Sequence, residues 1–167
     1  MARAGFYAVD SGKISFRRDG NWYSDEERID NPRIAELFSR SIHRNADGSF
    51  YLQVAEERAP ITVEDTPYVV KAVDGDCQAG FIITANDNVS ERLSPSTLEV
   101  APDHVLYCTI KGGKYRARFL RSAYYQLAKF FEPDPQLGFA LTVSGRRYPV
   151  RHAASGKPRS PSTPGRS

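Results

Sequence analysis

The chain has 167 residues, 40% of them apolar and 26% charged, an ordinary composition for one domain or two small ones. No apolar run approaches the ~20 residues needed to span a bilayer as a helix, which excludes a helical membrane protein. The formal charge of +3 is no argument for a nucleic-acid partner: residues 151–167 hold Arg151, Lys157, Arg159 and Arg166 and no acid, and without those four the balance is 19 basic against 20 acidic side chains.

The N-terminal stretch MARAGFYAVDSGK lacks the apolar core of a signal peptide, which predicts a cytoplasmic protein. Ile14, Phe16 and Trp22 flank Asp19-Gly20, a turn pair suited to a hairpin. Trp22 is expected to anchor the core of that hairpin; the other reading places it with Tyr23 in a surface aromatic patch. Asn31 followed by Pro32 marks a helix start, with the side chain of Asn31 as cap and proline where its missing N–H costs nothing. Ile34, Leu37, Phe38 and Ile42 then share one helical face, and the helix is predicted to end near Arg44-Asn45.

Alternation from Phe50 to Val54 predicts a strand, Glu56-Glu57 a turn, and Ile61 to Val63 a second strand. Pro67 interrupts, because it cannot donate to a ladder. Tyr68 to Val73 resumes, Asp74-Gly75-Asp76 is expected to turn, and Phe81 to Thr84 returns. Asn86-Asp87-Asn88 turns again, Leu98 and Val100 alternate, and Val105 to Ile110 forms a strand closed by Lys111-Gly112-Gly113-Lys114. A second helix is predicted from Leu120 to Phe131, stopped by Pro133 and Pro135. The last hairpin spans Phe139 to Val150 around Ser144-Gly145. The tail from 152 is Pro/Ser/Gly-rich and basic, and is expected to be disordered.

One pattern occurs twice. Phe50, Leu52, Val54, Arg58, Pro60 and Ile61 recur with identical spacing as Phe139, Leu141, Val143, Arg147, Pro149 and Val150. Each copy follows a helical stretch, and each helix follows a hairpin. The chain therefore reads as α+β, built from two similar hairpin–helix–hairpin units with antiparallel sheets: residues 12–66, residues 67–151, then the tail 152–167. A unit of about 55 residues buries little surface alone, which gives duplication a physical motive. Arg58 and Arg147, equivalent in the two copies, are expected to share one structural task.

Chemistry is sparse. His43, His104 and His152 have no histidine or cysteine at ligand spacing, so no metal site is expected. Cys77 and Cys108 form no CxxC and read as buried structural thiols in strands. No nucleophile motif or phosphate loop is present, no catalytic residue is assigned, and an enzyme is not the expected reading. Glu64 and Asp65 precede Thr66-Pro67-Tyr68 at the join of the units; they fit either a capped turn or one wall of a site. Lys111, Lys114, Arg116, Arg118 and Arg121, interleaved with Tyr115 and Phe119, fit either a solvated hairpin or an anion site.

Arg18-Asp19-Gly20-Asn21-Trp22, Pro32 with Leu37-Phe38-Ser39, Asp47-Gly48 with Leu52, and above all Val63-Glu64-Asp65-Thr66-Pro67-Tyr68-Val69 resemble bacterial domain-of-unknown-function family 1285. The likeness runs from about Gly12 to Val150 and is looser in the later half. Asp25-Glu26-Glu27 stands where the family pattern has a glycine after Tyr23, and the strand after Leu52 lacks the usual proline. The resemblance implies a duplicated α+β core whose second half is a partial barrel like a pleckstrin-homology (PH) domain. It implies no established activity, and a signalling role with an anionic ligand, nucleotides among the candidates, at the interface of the halves.

Two functions follow as expectations. The first is a ligand-sensing module with Glu64, Asp65 and Tyr68 on one side of a groove and Arg116, Arg121 and Tyr124 on the other, needing no cofactor. The second is a protein-interaction scaffold without a small-molecule ligand. Neither requires a membrane or nucleic acid.

Overall fold

A computed structural model describes residues 13–136 and 138–153, which form two compact units, 13–65 and 66–153. The N-terminal residues read above for a signal peptide lie outside the described residues, as does the tail from 154 onward. The architecture is mixed α+β: sixteen strands, two α-helices and a 3-10 turn among the described residues. No helix among them is long and apolar enough to cross a membrane.

The first unit is one six-stranded sheet with a helix. Its strands are β1 (Ile14–Phe16), β2 (Trp22–Ser24), β3 (Glu27–Arg28), β4 (Ile42–Arg44), β5 (Phe50–Val54) and β6 (Glu57–Val63), in the order β3-β2-β1-β6-β5-β4. Helix α1 (Pro32–Arg40) links the two hairpins. Its start is the one expected: the Asn31 side chain accepts the N–H groups of Arg33 at 2.9 Å and Ile34 at 3.4 Å, a cap worth about 1 kcal/mol.

Alternation decides which face is buried. Ile14, Phe16, Trp22, Ile42, Leu52 and Ala59 are buried, as is Phe38 of α1. The Trp22 ring lies 4.9 Å from Phe16 and 5.5 Å, edge-on, from Phe38. Its Nε1–H donates to Ser39 Oγ at 2.9 Å, so the buried indole leaves no polar group unmatched. Trp22 is 1% exposed and is a core anchor, which removes it from any surface aromatic patch.

The helix ends earlier than its sequence period suggests. Ser41 closes it, with its N–H on Phe38 O and its hydroxyl on Leu37 O. Ile42 then leaves the helix for β4, opposite Leu52, and stays buried there. A residue that is apolar at helical spacing can satisfy its burial on a strand just as well, so periodicity alone could not separate the two.

The second unit contains β7 (Tyr68–Asp76), β8 (Gly80–Ala85), β9 (Ser90–Arg92), the 3-10 turn Pro95–Thr97, β10 (Glu99–Val100), β11 (Leu106–Ile110), β12 (Tyr115–Phe119), helix α2 (Arg121–Ala128), β13 (Glu132–Asp134), β14 (Gly138–Val143), β15 (Arg146–Pro149) and β16 (Arg151–His152). A seven-stranded sheet runs β16-β10-β11-β12-β7-β8-β9, and a three-stranded sheet runs β13-β14-β15. Helix α2 packs on β7 with Ala123 and Leu127 buried.

Several expectations are corrected. Neither large sheet is wholly antiparallel: β1 runs parallel to β6, β7 to β12, and β10 to β16. In the first unit the first strand of one hairpin, β1, docks on the last strand of the other, β6, with α1 between the two hairpins. Asp74, Gly75 and Asp76 continue β7 instead of turning; the turn follows, held by Asp76 Oδ1 on the N–H groups of Gln78 and Ala79. Cys77 therefore sits half-buried in that turn, whereas Cys108 is buried in β11. Helix α2 stops at Ala128, and Pro133 occupies β13 at the outside of its sheet, where a missing N–H is harmless. His152 belongs to β16 rather than to the tail.

The repeated pattern corresponds to two hairpins of one register. Leu52 faces Ala59 and Tyr51 faces Pro60, as Leu141 faces Tyr148 and Ala140 faces Pro149. The positive-φ turn residue is Ala55 in one and Ser144 in the other. The two arginines do different work, however. Arg58 lies over the Tyr51 ring at 4.0 Å, while Arg147 pairs with Glu132 and Asp134.

Candidate anion-binding site

The last strands of the second unit create a concavity by changing sheets. Up to Val150 the chain belongs to the three-stranded sheet, Val150 N–H donating to Phe139 O at 2.9 Å. One residue later it joins the other sheet, with Arg151 N–H on Leu98 O at 3.2 Å and Ala153 N–H on Val100 O at 2.9 Å. Between β15, the start of β16 and the Pro95–Thr97 turn lies a cavity of about 650 Å³, lined by Ser96, Arg146, Arg147, Tyr148, Pro149 and Arg151.

Every polar side chain on that lining is a hydrogen-bond donor, and no carboxylate lines it. The three guanidinium groups are not equivalent. Arg147 is committed: Nη1 donates to Glu132 Oε1 at 2.9 Å, and Nη2 to Asp134 Oδ2 at 3.0 Å and Pro133 O at 3.2 Å. The Arg151 side chain has, among the described residues, only a long ion pair, Nη2 to Glu99 Oε2 at 3.6 Å. Arg146 rests 5.9 Å from the centre of the Tyr148 ring and has no acidic partner among the described residues. The hydroxyls of Ser96 and Tyr148 likewise have no hydrogen-bond partner among the described residues.

The first unit also has a concavity, of about 430 Å³, and it differs in kind. Lys13 and Arg17 are matched there by Asp25, Glu26 and Glu64. Arg17 donates to Glu26 at 2.8 Å and lies over Tyr23 at 3.9 Å. Such a surface largely satisfies itself, and its two cations against three carboxylates give it no preference for an anion.

None of the residues expected from the sequence lines the 650 Å³ cavity. Glu64 belongs to the first unit, where it accepts Arg18 N–H at 2.8 Å and faces Arg18 Nε at 3.5 Å. Asp65 is the last residue of that unit. Tyr68 is 4% exposed on β7, its ring edge-on to Tyr115 at 5.2 Å and under Lys111 Nζ at 4.9 Å. Burial, with the charge of Asp87 behind it, pushes its hydroxyl pKa well up, so it stays protonated. Tyr68 is paired with Ala117, which puts the neighbouring Arg116 on the opposite face of the sheet. Those two cannot converge on one ligand. Arg121 stands at the start of α2, 3.5 Å from Tyr125 Oη, and Tyr124 leans on Tyr125.

Two cations of the basic run 111–121 pair with acids from distant segments. Lys111 Nζ reaches Asp87 at 2.8 Å, and Arg116 reaches Glu99 at 3.1 Å while lying 3.8 Å over the Tyr107 ring. Sequence reasoning missed Arg146 and Arg151 because Arg146 falls between the repeated positions and Arg151 at the boundary of the second unit with the tail. The signal was there: Arg146-Arg147-Tyr148-Pro149-Val150-Arg151 carries three cations and no acid. No group of three or more His, Cys, Asp or Glu that could hold a metal exists among the described residues.

Comparison with known proteins finds a family match for the first unit and likenesses of fold for the chain. Residues 8–66 match the model of the N-terminal domain of the domain of unknown function DUF1285. The first unit therefore matches a DUF1285 N-terminal domain. A crystal structure of a DUF1285 family protein from Silicibacter pomeroyi DSS-3 superposes with a TM-score of 0.67 at 23% identity, covering 84% of this chain and 81% of that one. A second, from Shewanella baltica OS155, gives 0.57 at 16% identity, covering 72% and 93%. At these identities the DUF1285 structures share the fold, and no more is carried over from them. No curated protein matches the chain.

Proposed function

We propose that this protein is a non-enzymatic module that binds an anionic small molecule, nucleotides among the candidates, in a signalling role. The observation that carries this reading is the carboxylate-free lining of the 650 Å³ cavity, where Arg146 has no acidic partner among the described residues and Arg151 has only the long ion pair to Glu99. Guanidinium groups present planar pairs of donors that match carboxylate and phosphate oxygens. The same reading takes the two units as copies of one ancestral unit and the second as a PH-like partial barrel. The matched registers of the β5–β6 and β14–β15 hairpins support the first point, and the curl of the seven-stranded sheet supports the second.

The test is calorimetric titration of the protein with inorganic phosphate, pyrophosphate and nucleoside phosphates. At least one should bind, and Arg146→Ala combined with Arg151→Ala should abolish that binding without lowering Tm by more than a few degrees. Binding that survives the double substitution would overturn the site. No binding by any anion would favour the alternative, a protein-interaction scaffold, for which the half-exposed Phe139 beside Phe131, ring centres 6.0 Å apart, is the contact to test.

A further inference from the structure

We propose that Glu99 is a built-in counter-anion of this cavity and sets how much charge a ligand needs to occupy it. This rests on the anion-binding reading above. Glu99 stands on β10 directly opposite Arg151 on β16. Its two oxygens are divided unequally. Oε1 accepts a hydrogen bond from Arg116 Nη2 at 3.1 Å, whereas Oε2 faces Arg151 Nη2 at 3.6 Å, an ion pair too long for a good hydrogen bond.

Arg116 is itself braced, its guanidinium 3.8 Å over the Tyr107 ring. Glu99 is thus held from the far side by a fixed cation and only lightly engages the one that lines the cavity. Its side chain is 31% exposed, so water does not fully screen its field at Arg151. The ligand-facing charge is therefore Arg146 plus Arg151, reduced by Glu99, while Arg147 is taken up by Glu132 and Asp134.

Charge–charge energy scales with the product of the charges, so Glu99 repels a dianion with twice the free energy with which it repels a monoanion. Neutralising Glu99 should then multiply monoanion affinity by some factor and dianion affinity by about the square of that factor. Partly exposed pairs of this kind suggest roughly threefold and roughly tenfold. If Glu99 were instead a strut that positions Arg151, its loss would weaken binding. Arg116 is a positioning residue in this scheme: without it Glu99 is free to close on Arg151 and compete fully with the ligand.

The experiment follows the Nε–H resonances of Arg146 and Arg151 by NMR in the full chain. Acetate and sulfate are titrated at pH 7.5 and constant ionic strength against wild type, Glu99→Gln and Arg116→Met. The expected result is tighter binding of both anions in Glu99→Gln, with the larger gain for sulfate, and weaker sulfate binding in Arg116→Met. The second variant reads Glu99 from the opposite direction and stands if the first fails to fold. Sulfate binding in wild type that is unchanged or weakened in Glu99→Gln, or tightened in Arg116→Met, would overturn the role of Glu99 and leave the site intact. If neither arginine resonance responds to either anion in any variant, the site itself is refuted, and this inference with it.

Discussion

The Glu91 carboxylate accepts the backbone N–H of Lys111 with both oxygens at 3.1 Å, and this contact curls the seven-stranded sheet. Glu91 lies on β9 at one end of the strand order, and Lys111 follows β11, four places away. Side chains thus span a gap that no backbone ladder closes, and Lys111 Nζ adds a second tie to Asp87 at 2.8 Å. The sheet stays open, its two end strands joined by no ladder among the described residues.

Glu91→Ala should accordingly destabilise the protein by about 1–3 kcal/mol, the cost of leaving a part-buried N–H without its charged acceptor. Glu91→Gln keeps an acceptor oxygen and should recover most of that loss. Urea denaturation of the three proteins would check this, with the midpoint falling and the slope unchanged. Equal midpoints for wild type and Glu91→Ala would mean that the curl is held by packing alone.

Gly75 offers a steric test. It sits in β7 opposite Phe81 with φ +114, and a Cβ there would run into the carbonyl oxygen of Gly80. Gly75→Ala is expected to cost about 1–3 kcal/mol from the backbone conformation alone, and more from the clash. Gly48→Ala is the control, since a Cβ at Gly48 meets nothing within 4 Å and only the φ penalty applies. Thermal unfolding should show the larger drop for Gly75→Ala.

Alkaline pH should weaken the fold through Cys108. Burial, with the charge of Glu91 adding to it, pushes its thiol up from 9.0 to about 12. The unfolded chain releases this proton near pH 9 while the folded chain holds it. The resulting stability is therefore fully present below that pH and lost as the pH climbs toward about 12. Tyr68, raised in the same direction, adds to the loss above about pH 10. Urea midpoints measured from pH 8 to 10.5 should fall, and Cys108→Ala should flatten the fall. Identical slopes would show that Cys108 does not contribute.

Much of the fold was legible in the sequence because the signals were local. Asp19-Gly20 turned, Asn31-Pro32 started a helix, and the two repeated hairpins adopted one register, each decided within a few residues by turn chemistry and alternation. Misreadings clustered where local preference is degenerate. Ile42 fits a helix face or a strand equally, and Asp74-Gly75-Asp76 has turn composition but lies in a ladder. The site was less legible still. Lys111 and Arg116 read as a basic patch until Asp87 and Glu99 met them, and Arg151 stood at the edge of the tail until β16 paired with β10.

By itself the sequence determined the α+β class, the hairpins and helices in their order, and the alternation that sends Phe16, Trp22 and Leu52 inward. These follow from side-chain period, capping and turn stereochemistry, all of which act over a few bonds. Only the tertiary structure decided which strands lie side by side, which cations are spent on carboxylates, and that Arg146 and Arg151 line one cavity. Those outcomes depend on distances in space between residues far apart in the chain. Coulomb and packing energies are set by those distances, and no local rule carries them.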